Sequence, residues 1–344
     1  MTPAIFGLAG PRLLPEERAF FRDADPVGYI LFQRNCEDRE QLRALADDLR
    51  TIHGRDHLFL SIDQEGGRVA RMKPPVWPRY PAGEVFDRLY QVAPLSAVEA
   101  VRANAEAMGY ELAACGITVN FHAPLDVRRP ETDRVIGDRA LGHEPMQVAA
   151  LGRAMLEGFA RARIAGCLKH MPGHGRATVD SHKDLPVVAV GTDGLAEDIA
   201  PFRQLAGAAA IGMSAHIIYT AWDAEQPATL SRTVIRDIIR GEIGFDGLLL
   251  TDDIDMEALS GSIPERGERA INAGCDVVLN CGARMDDMVG LAERLPALCK
   301  RGEQRLARVF EGNSSGSGAP DGVNRSAMLL AKRDALIAAA GISV

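Results

Sequence analysis

Eight short runs of mostly apolar residues recur along the chain: AIFGLAG from Ala4, VGYILF from Val27, LFLSID from Leu58, GITVNFHAPLD from Gly116, IAGCLKH from Ile164, AIGMSAH from Ala210, GLLLTDD from Gly247 and CDVVLNC from Cys275. They are nearly continuous rather than alternating, the pattern of parallel strands covered on both faces. Between them apolar residues return at steps of three and four. Val98, Val101, Ala105, Met108 and Leu112 predict a helix that buries one face and stops at Gly116, with Ser96 and Glu99 spaced as a capping box. Val148, Leu151, Met155 and Phe159 predict another after Pro145, and further helices are expected near residues 39–52, 195–208, 231–241 and 285–300. Eight strands alternating with helices predict an α/β fold, a single (β/α)8 TIM-type barrel. A doubly wound open sheet would have fewer strands and a glycine-rich first turn, which this chain lacks. The stretch EGNSSGSGAPDG, residues 311–322, has the composition of a flexible loop and precedes an Ala- and Leu-rich C-terminal helix. Residues 1–344 therefore read as one barrel domain.

Composition narrows the partners. The 39 Lys and Arg against 47 Asp and Glu give a net charge of -8, which argues against a nucleic-acid partner requiring a broad basic face. The start, MTPAIFGLAGPRLLPEERAF, lacks the basic-then-apolar pattern of a signal peptide, and no stretch approaches the roughly 20 apolar residues of a membrane helix. A cytoplasmic protein with no membrane partner is expected. Its six cysteines are scattered without a C-x-x-C pair and read as small buried hydrophobes, with no disulfide and no metal.

The polar residues gather where the apolar runs end: Asp63 and Glu65, His122 and Asp126, Lys169 and His170, His216, then Asp252 and Asp253. On a barrel this is the face that carries the active site. Single carboxylates there can be helix caps, but so many ionisable groups at one rim point to a polar site. In DQEGGRVAR the glycines permit close backbone approach. Arg68 and Glu65 are expected to pair within the fold, leaving Asp63 and Arg71 for a ligand. His170 and His174 have the spacing of a helical metal pair, but Pro172, Gly173 and Gly175 prevent a helix across them. No metal is expected, and His174 reads as an internal hydrogen-bonding residue that ties down its loop. Lys169 and His170 are placed to donate to ligand oxygens. Asp180 and His182, two apart on the same loop, allow a carboxylate to hold one imidazole nitrogen while the other faces a substrate, the arrangement of a general acid. An acid opposite a carboxylate at the mouth of the seventh strand is the minimal apparatus for glycoside cleavage, and periodicity alone does not choose between Asp252 and Asp253.

Taken together, GYILFQRN, SIDQEGGRVAR, GITVNFHAPLDV, IGDRALG, KHMPGHG with DSH, SAHIIY with PATLS, LLLTDDIDMEAL and AGCDVVLNC resemble, in order and over nearly the whole chain, glycoside hydrolase family 3 and its bacterial β-N-acetylglucosaminidases. The resemblance implies a retaining double displacement at a non-reducing-end N-acetylglucosamine, with neither metal nor organic cofactor. It further implies Asp252 as nucleophile, His182 as general acid/base, Asp180 as the group that orients and tunes His182, and Asp63, Arg71, Arg139, Lys169 and His170 as sugar-holding groups. The expected substrates are peptidoglycan fragments of the GlcNAc-anhydroMurNAc kind and their peptides, in cell-wall recycling, acted on by a monomer. Two departures stand out. The family's N-P-x-I-G-x-R-S-F is here Asp133 to Leu141 with its rigid start changed, and Met171 replaces a commoner aromatic or branched residue. A histidine acid becomes neutral once it has given up its proton, so phosphate is expected to compete with water for the sugar ester.

Overall fold

All eight apolar runs form strands of one closed parallel barrel: β1 (Thr2–Gly7), β2 (Pro26–Leu31), β3 (Phe59–Ile62), β4 (Val119–Asn120), β5 (Ala165–Met171), β6 (Ile211–Ser214), β7 (Leu248–Asp253) and β8 (Val277–Asn280). The structure, a computed structural model, describes residues 1–55, 57–311 and 322–343. Each strand pairs with its neighbours in chain order, and β1 closes the ring on β8 in the register Ala4–Val278, Ile5–Leu279 and Phe6–Asn280. Side chains pointing into the barrel, among them Ile5, Phe59, Phe121, Cys167, Met213, Leu248 and Leu279, fill its lumen. A separate, larger apolar layer lies between strands and helices. The near-continuous apolar runs have this cause: alternate residues enter two different cores, so the strands retain no polar face.

Helices α1 (Pro15–Ala24), α2 (Arg39–His53), α3 (Gly83–Val92), α4 (Pro94–Ala114), α5 (Pro145–Arg161) and α6 (Thr192–Leu205) follow the first five strands. Val234–Glu242, after β6, is wound with the wider π spacing, and α7 (Ile263–Ala273) and α8 (Met285–Arg294) follow β7 and β8. Two further helices complete the shell. In α9 (Lys300–Phe310), Leu306 and Val309 pack onto the lumen cluster, while α10 (Gly322–Ala339) lies along α4, where Arg333 Nη1 donates to Asn104 Oδ1 at 2.9 Å. Among the described residues no helix is long and apolar enough to cross a membrane.

Three expectations change. The helix predicted from Ser96 begins at Pro94, which stands at its first turn directly after α3, so Ser96 and Glu99 form no capping box. Its burial is also not one-sided: Ala97, Ala100, Ala103, Asn104, Ala107 and Glu111 are buried as well, because α3, α5 and α10 pack against α4. The cysteines are all free, but Cys299 is exposed and its Sγ caps the start of α9, accepting from the Gly302 amide at 3.4 Å. The glycine- and serine-rich segment lies outside the described residues apart from Glu311 and Gly322.

Candidate active site

The ends of β3 and β5 and the loop after β4 bring a chain of charges together. Glu65 accepts both prongs of Arg139, Nε at 2.8 Å and Nη2 at 2.7 Å, and its Oε1 also lies 2.7 Å from Lys169 Nζ. Lys169 reaches on to Asp63 Oδ1 at 3.3 Å, and Asp63 Oδ2 is 3.2 Å from Arg71 Nη2. Burial opposes the charges of Glu65, Lys169 and Arg139, but their partners outweigh it. Arg139 and Lys169 hold the Glu65 carboxyl well below its usual range, and Glu65 and Asp63 raise Lys169. Carboxylates and cations buried together in this way remain ionised.

The pairing expected between Arg68 and Glu65 does not form. Arg68 turns outward to Asp138 Oδ1 at 2.8 Å and to the Arg134 and Val135 carbonyls, because Gly66 and Gly67, at φ +118° and +55°, swing the chain away after Glu65. Glu65 therefore belongs to the site, where it ties Lys169 and Arg139 in place. Its sequence signal was its position two residues beyond Asp63: a buried carboxylate needs a cation, and two were already expected here. Gln64 fixes the same turn, its Oε1 accepting the Arg71 and Met72 amides at 2.8 and 3.0 Å.

Beside this cluster His170 Nδ1 donates to Asp126 Oδ2 at 2.7 Å, and Asp126 Oδ1 accepts the amides of His170 and His174. Asp126, noted in the sequence without a role, is wholly buried and sets the orientation of the His170 ring. His170 and His174 stand edge to face with centroids 5.6 Å apart. His174 Nε2 faces Ser181 Oγ at 3.2 Å, as expected of a loop-fastening residue. Among the described residues no three His, Cys, Asp or Glu side chains are grouped to hold a metal.

Two carboxylates at the end of β7 have opposite surroundings. Among the described residues Asp252 accepts one hydrogen bond, from the Asp253 amide at 2.8 Å. Burial would raise its carboxyl, but the His170 and His216 imidazoles, that amide and His182 bring it down to about 2. Asp253 is committed to the fold: its Oδ1 accepts the Asp255 and Cys281 amides, both at 3.1 Å, while burial and the neighbouring Asp255 push its carboxyl well up. His216 is buried between Thr229 Oγ1 at 2.8 Å and the Asp253 carbonyl at 2.9 Å, to which its Nε2–H donates, and burial pushes its imidazole down.

Across the mouth, His182 Nδ1 donates to Asp180 Oδ1 at 2.8 Å, and the His182 amide donates to the same oxygen at 3.0 Å. Burial would raise the Asp180 carboxyl, but these two bonds bring it below its usual value. His182 Nε2 makes no hydrogen bond among the described residues, and the imidazole is near enough to Asp252 to act on its charge. All eight residues singled out in the sequence thus lie on the C-terminal face of the barrel, and the Asp–His dyad expected from D-x-H is formed.

A parallel barrel with a freely ionised carboxylate at one strand end and an Asp–His pair opposite has the form of a glycoside hydrolase. The Glycosyl hydrolase family 3 N terminal domain matches residues 14–311, and the chain belongs to that family. It is 39% identical over 301 residues to a beta-hexosaminidase of Bordetella avium, an alignment covering 85% of this chain and 84% of the relative. It is likewise 39% identical over 317 residues to one of Alkalilimnicola ehrlichii, covering 90% and 88%. NagZ from Neisseria gonorrhoeae, solved in complex with N-trifluoroacetyl-D-glucosamine, matches with a TM-score of 0.86 at 31% identity over 98% of each chain. The chain is a glycoside hydrolase of β-hexosaminidase type.

Proposed function

We propose that the protein is a retaining exo-β-N-acetylglucosaminidase that removes non-reducing-end N-acetylglucosamine from peptidoglycan fragments through a covalent glycosyl-Asp252 intermediate. In the first step an Asp252 oxygen forms a bond to the anomeric carbon as the glycosidic C–O bond breaks, and His182 Nε2–H gives its proton to the departing oxygen. In the second, His182, now neutral, takes a proton from water while the water oxygen attacks the same carbon. The ester bond breaks, the Asp252 carboxylate is released, and two inversions leave the anomeric configuration retained. Asp180 keeps the proton on His182 Nδ1, so Nε2 is the nitrogen that exchanges. Asp63, Arg71, Lys169 and His170 hold the sugar hydroxyls, and Arg139 supports them through Glu65. The reading includes a single catalytic barrel domain working in the cytoplasm.

The observation that carries this reading is the contrast at the end of β7: Asp252 is ionised, nearly free of hydrogen bonds and under the influence of His182, whereas Asp253 is bound into the backbone. A slow fluorinated substrate followed by mass spectrometry tests it. A sugar adduct is expected on the peptide spanning residues 247–266, and turnover without any adduct would exclude the covalent route. His182→Ala is expected to slow substrates with poor leaving groups far more than activated aryl ones; equal slowing would remove His182 from the acid role.

A further inference from the structure

The loop after β5 divides at Ala177. Its first half is fastened on several sides. Tyr219 Oη donates to the Gly173 carbonyl at 2.7 Å, Arg176 Nε to Asp198 Oδ2 at 2.6 Å and Arg176 Nη2 to the Gly194 carbonyl at 2.8 Å. The His174 amide is held by Asp126 Oδ1 at 2.7 Å, and the Ala177 carbonyl accepts the Asp133 amide at 2.9 Å. The second half, residues 178–185, is different. Its hydrogen bonds and ion pairs are local, Asp180 with His182, Lys183 and Asp184, and Asp184 with the Leu185 amide. Among the described residues one bond leaves the segment, between Ser181 Oγ and His174 Nε2 at 3.2 Å, and both of these residues are buried.

The chemistry of His174 gives that bond a direction. Burial and the neighbouring His170 push its imidazole down to about 4, so the ring is neutral, and its Nδ1 is buried without a partner. A proton on Nδ1 would be a buried, unpaired N–H. A proton on Nε2 donates to Ser181 Oγ and leaves only an idle lone pair, the cheaper arrangement. Ser181 stands between the two members of the dyad, and among the described residues the dyad itself has no other bond to the floor of the site.

We propose that His174 is a positioning residue: through the bond from its Nε2 to Ser181, it seats the tip of the loop so that the Asp180–His182 pair faces Asp252. The proposal rests on His182 being the general acid. Without that fastening the exposed tip samples other positions, and proton transfer, which demands hydrogen-bond reach to the departing oxygen, fails before sugar binding does.

The test is Ser181→Ala, which leaves the dyad's own residues in place. It is assayed on p-nitrophenyl N-acetyl-β-glucosaminide and on a disaccharide substrate with a poor leaving group. The disaccharide kcat is expected to fall about tenfold, equivalent to ~1.4 kcal/mol, and the aryl kcat by less than about twofold. His174→Gln, which keeps an amide donor at similar reach, is expected to preserve the wild-type ratio between the substrates. An unchanged ratio in Ser181→Ala, or a ratio disturbed equally by His174→Gln, would overturn the fastening. Should His182→Ala slow both substrates equally, the acid assignment would fall and this proposal with it. Selectivity in His182→Ala without selectivity in Ser181→Ala condemns the fastening alone.

Discussion

Lys169 and His182 are both assigned to the same sugar, yet Lys169 is 1% exposed and bridges two carboxylates, while the His182 side chain is 61% exposed and bonded only to Asp180, two residues away. The floor is a chain of buried charges whose members cannot move singly without stranding a partner. The tip is a short segment with one outside bond. The difference matches the two tasks. Groups that bind a sugar gain from being held in place beforehand, because nothing has to be ordered when the ligand arrives. In the proposed mechanism the acid serves first a departing oxygen and then a water, and His182 rides on the part of the loop with the fewest restraints.

Four outcomes break or sharpen this contrast. Asp252→Ala should lower kcat by on the order of 10⁴-fold or more with the fold unchanged by circular dichroism; measurable turnover near wild type would place the nucleophile elsewhere. Glu65→Ala takes the carboxylate from buried Arg139 and leaves Lys169 only Asp63, and denaturant unfolding should show a loss of ~3–5 kcal/mol. His182→Ala, at an exposed position, should stay within about 0.5 kcal/mol. Equal losses would erase the distinction between floor and tip.

The third outcome concerns pH. The Glu65 carboxyl is held well below its usual range, so the folded protein binds this proton less readily than the unfolded chain does. Its stabilisation is present above about pH 4.5 and is lost as pH falls from there toward the depressed value. Unfolding free energy should drop on acidification, and Glu65→Gln, less stable throughout, should drop less steeply; parallel curves would deny Glu65 this role. The smallest effect belongs to Asp253, whose carboxyl is pushed upward and shares a buried corner with Asp255. Asp253→Asn keeps an oxygen for the Asp255 and Cys281 amides and removes a like charge from beside Asp255, so it should cost less than about 1 kcal/mol, as read by thermal melting. A large loss would mean the fold depends on that charge.

The elements were legible to different depths for physical reasons. Strands buried on both faces carry an apolar signal that needs no knowledge of partners, and all eight were visible. Helix α4 was visible by its period, but its start and its full burial depended on Pro94 continuing from α3 and on a C-terminal helix more than 200 residues away in sequence. D-x-H announced its own dyad because both partners are local. Glu65 was misassigned because its partners, Lys169 and Arg139, come from β5 and the loop after β4, while a nearer arginine offered a simpler pairing.

By itself the sequence determined the barrel, the face on which chemistry gathers and the identity of the groups that can titrate there, since these follow from period, from strand ends and from side-chain type. Tertiary structure alone decided which of two adjacent carboxylates is free to react, which cations are committed to Glu65, and that a single bond from His174 ties the tip of the loop. Those outcomes depend on distances between strand ends far apart in the chain, and an ion's state is set by whatever charge and burial the fold brings beside it.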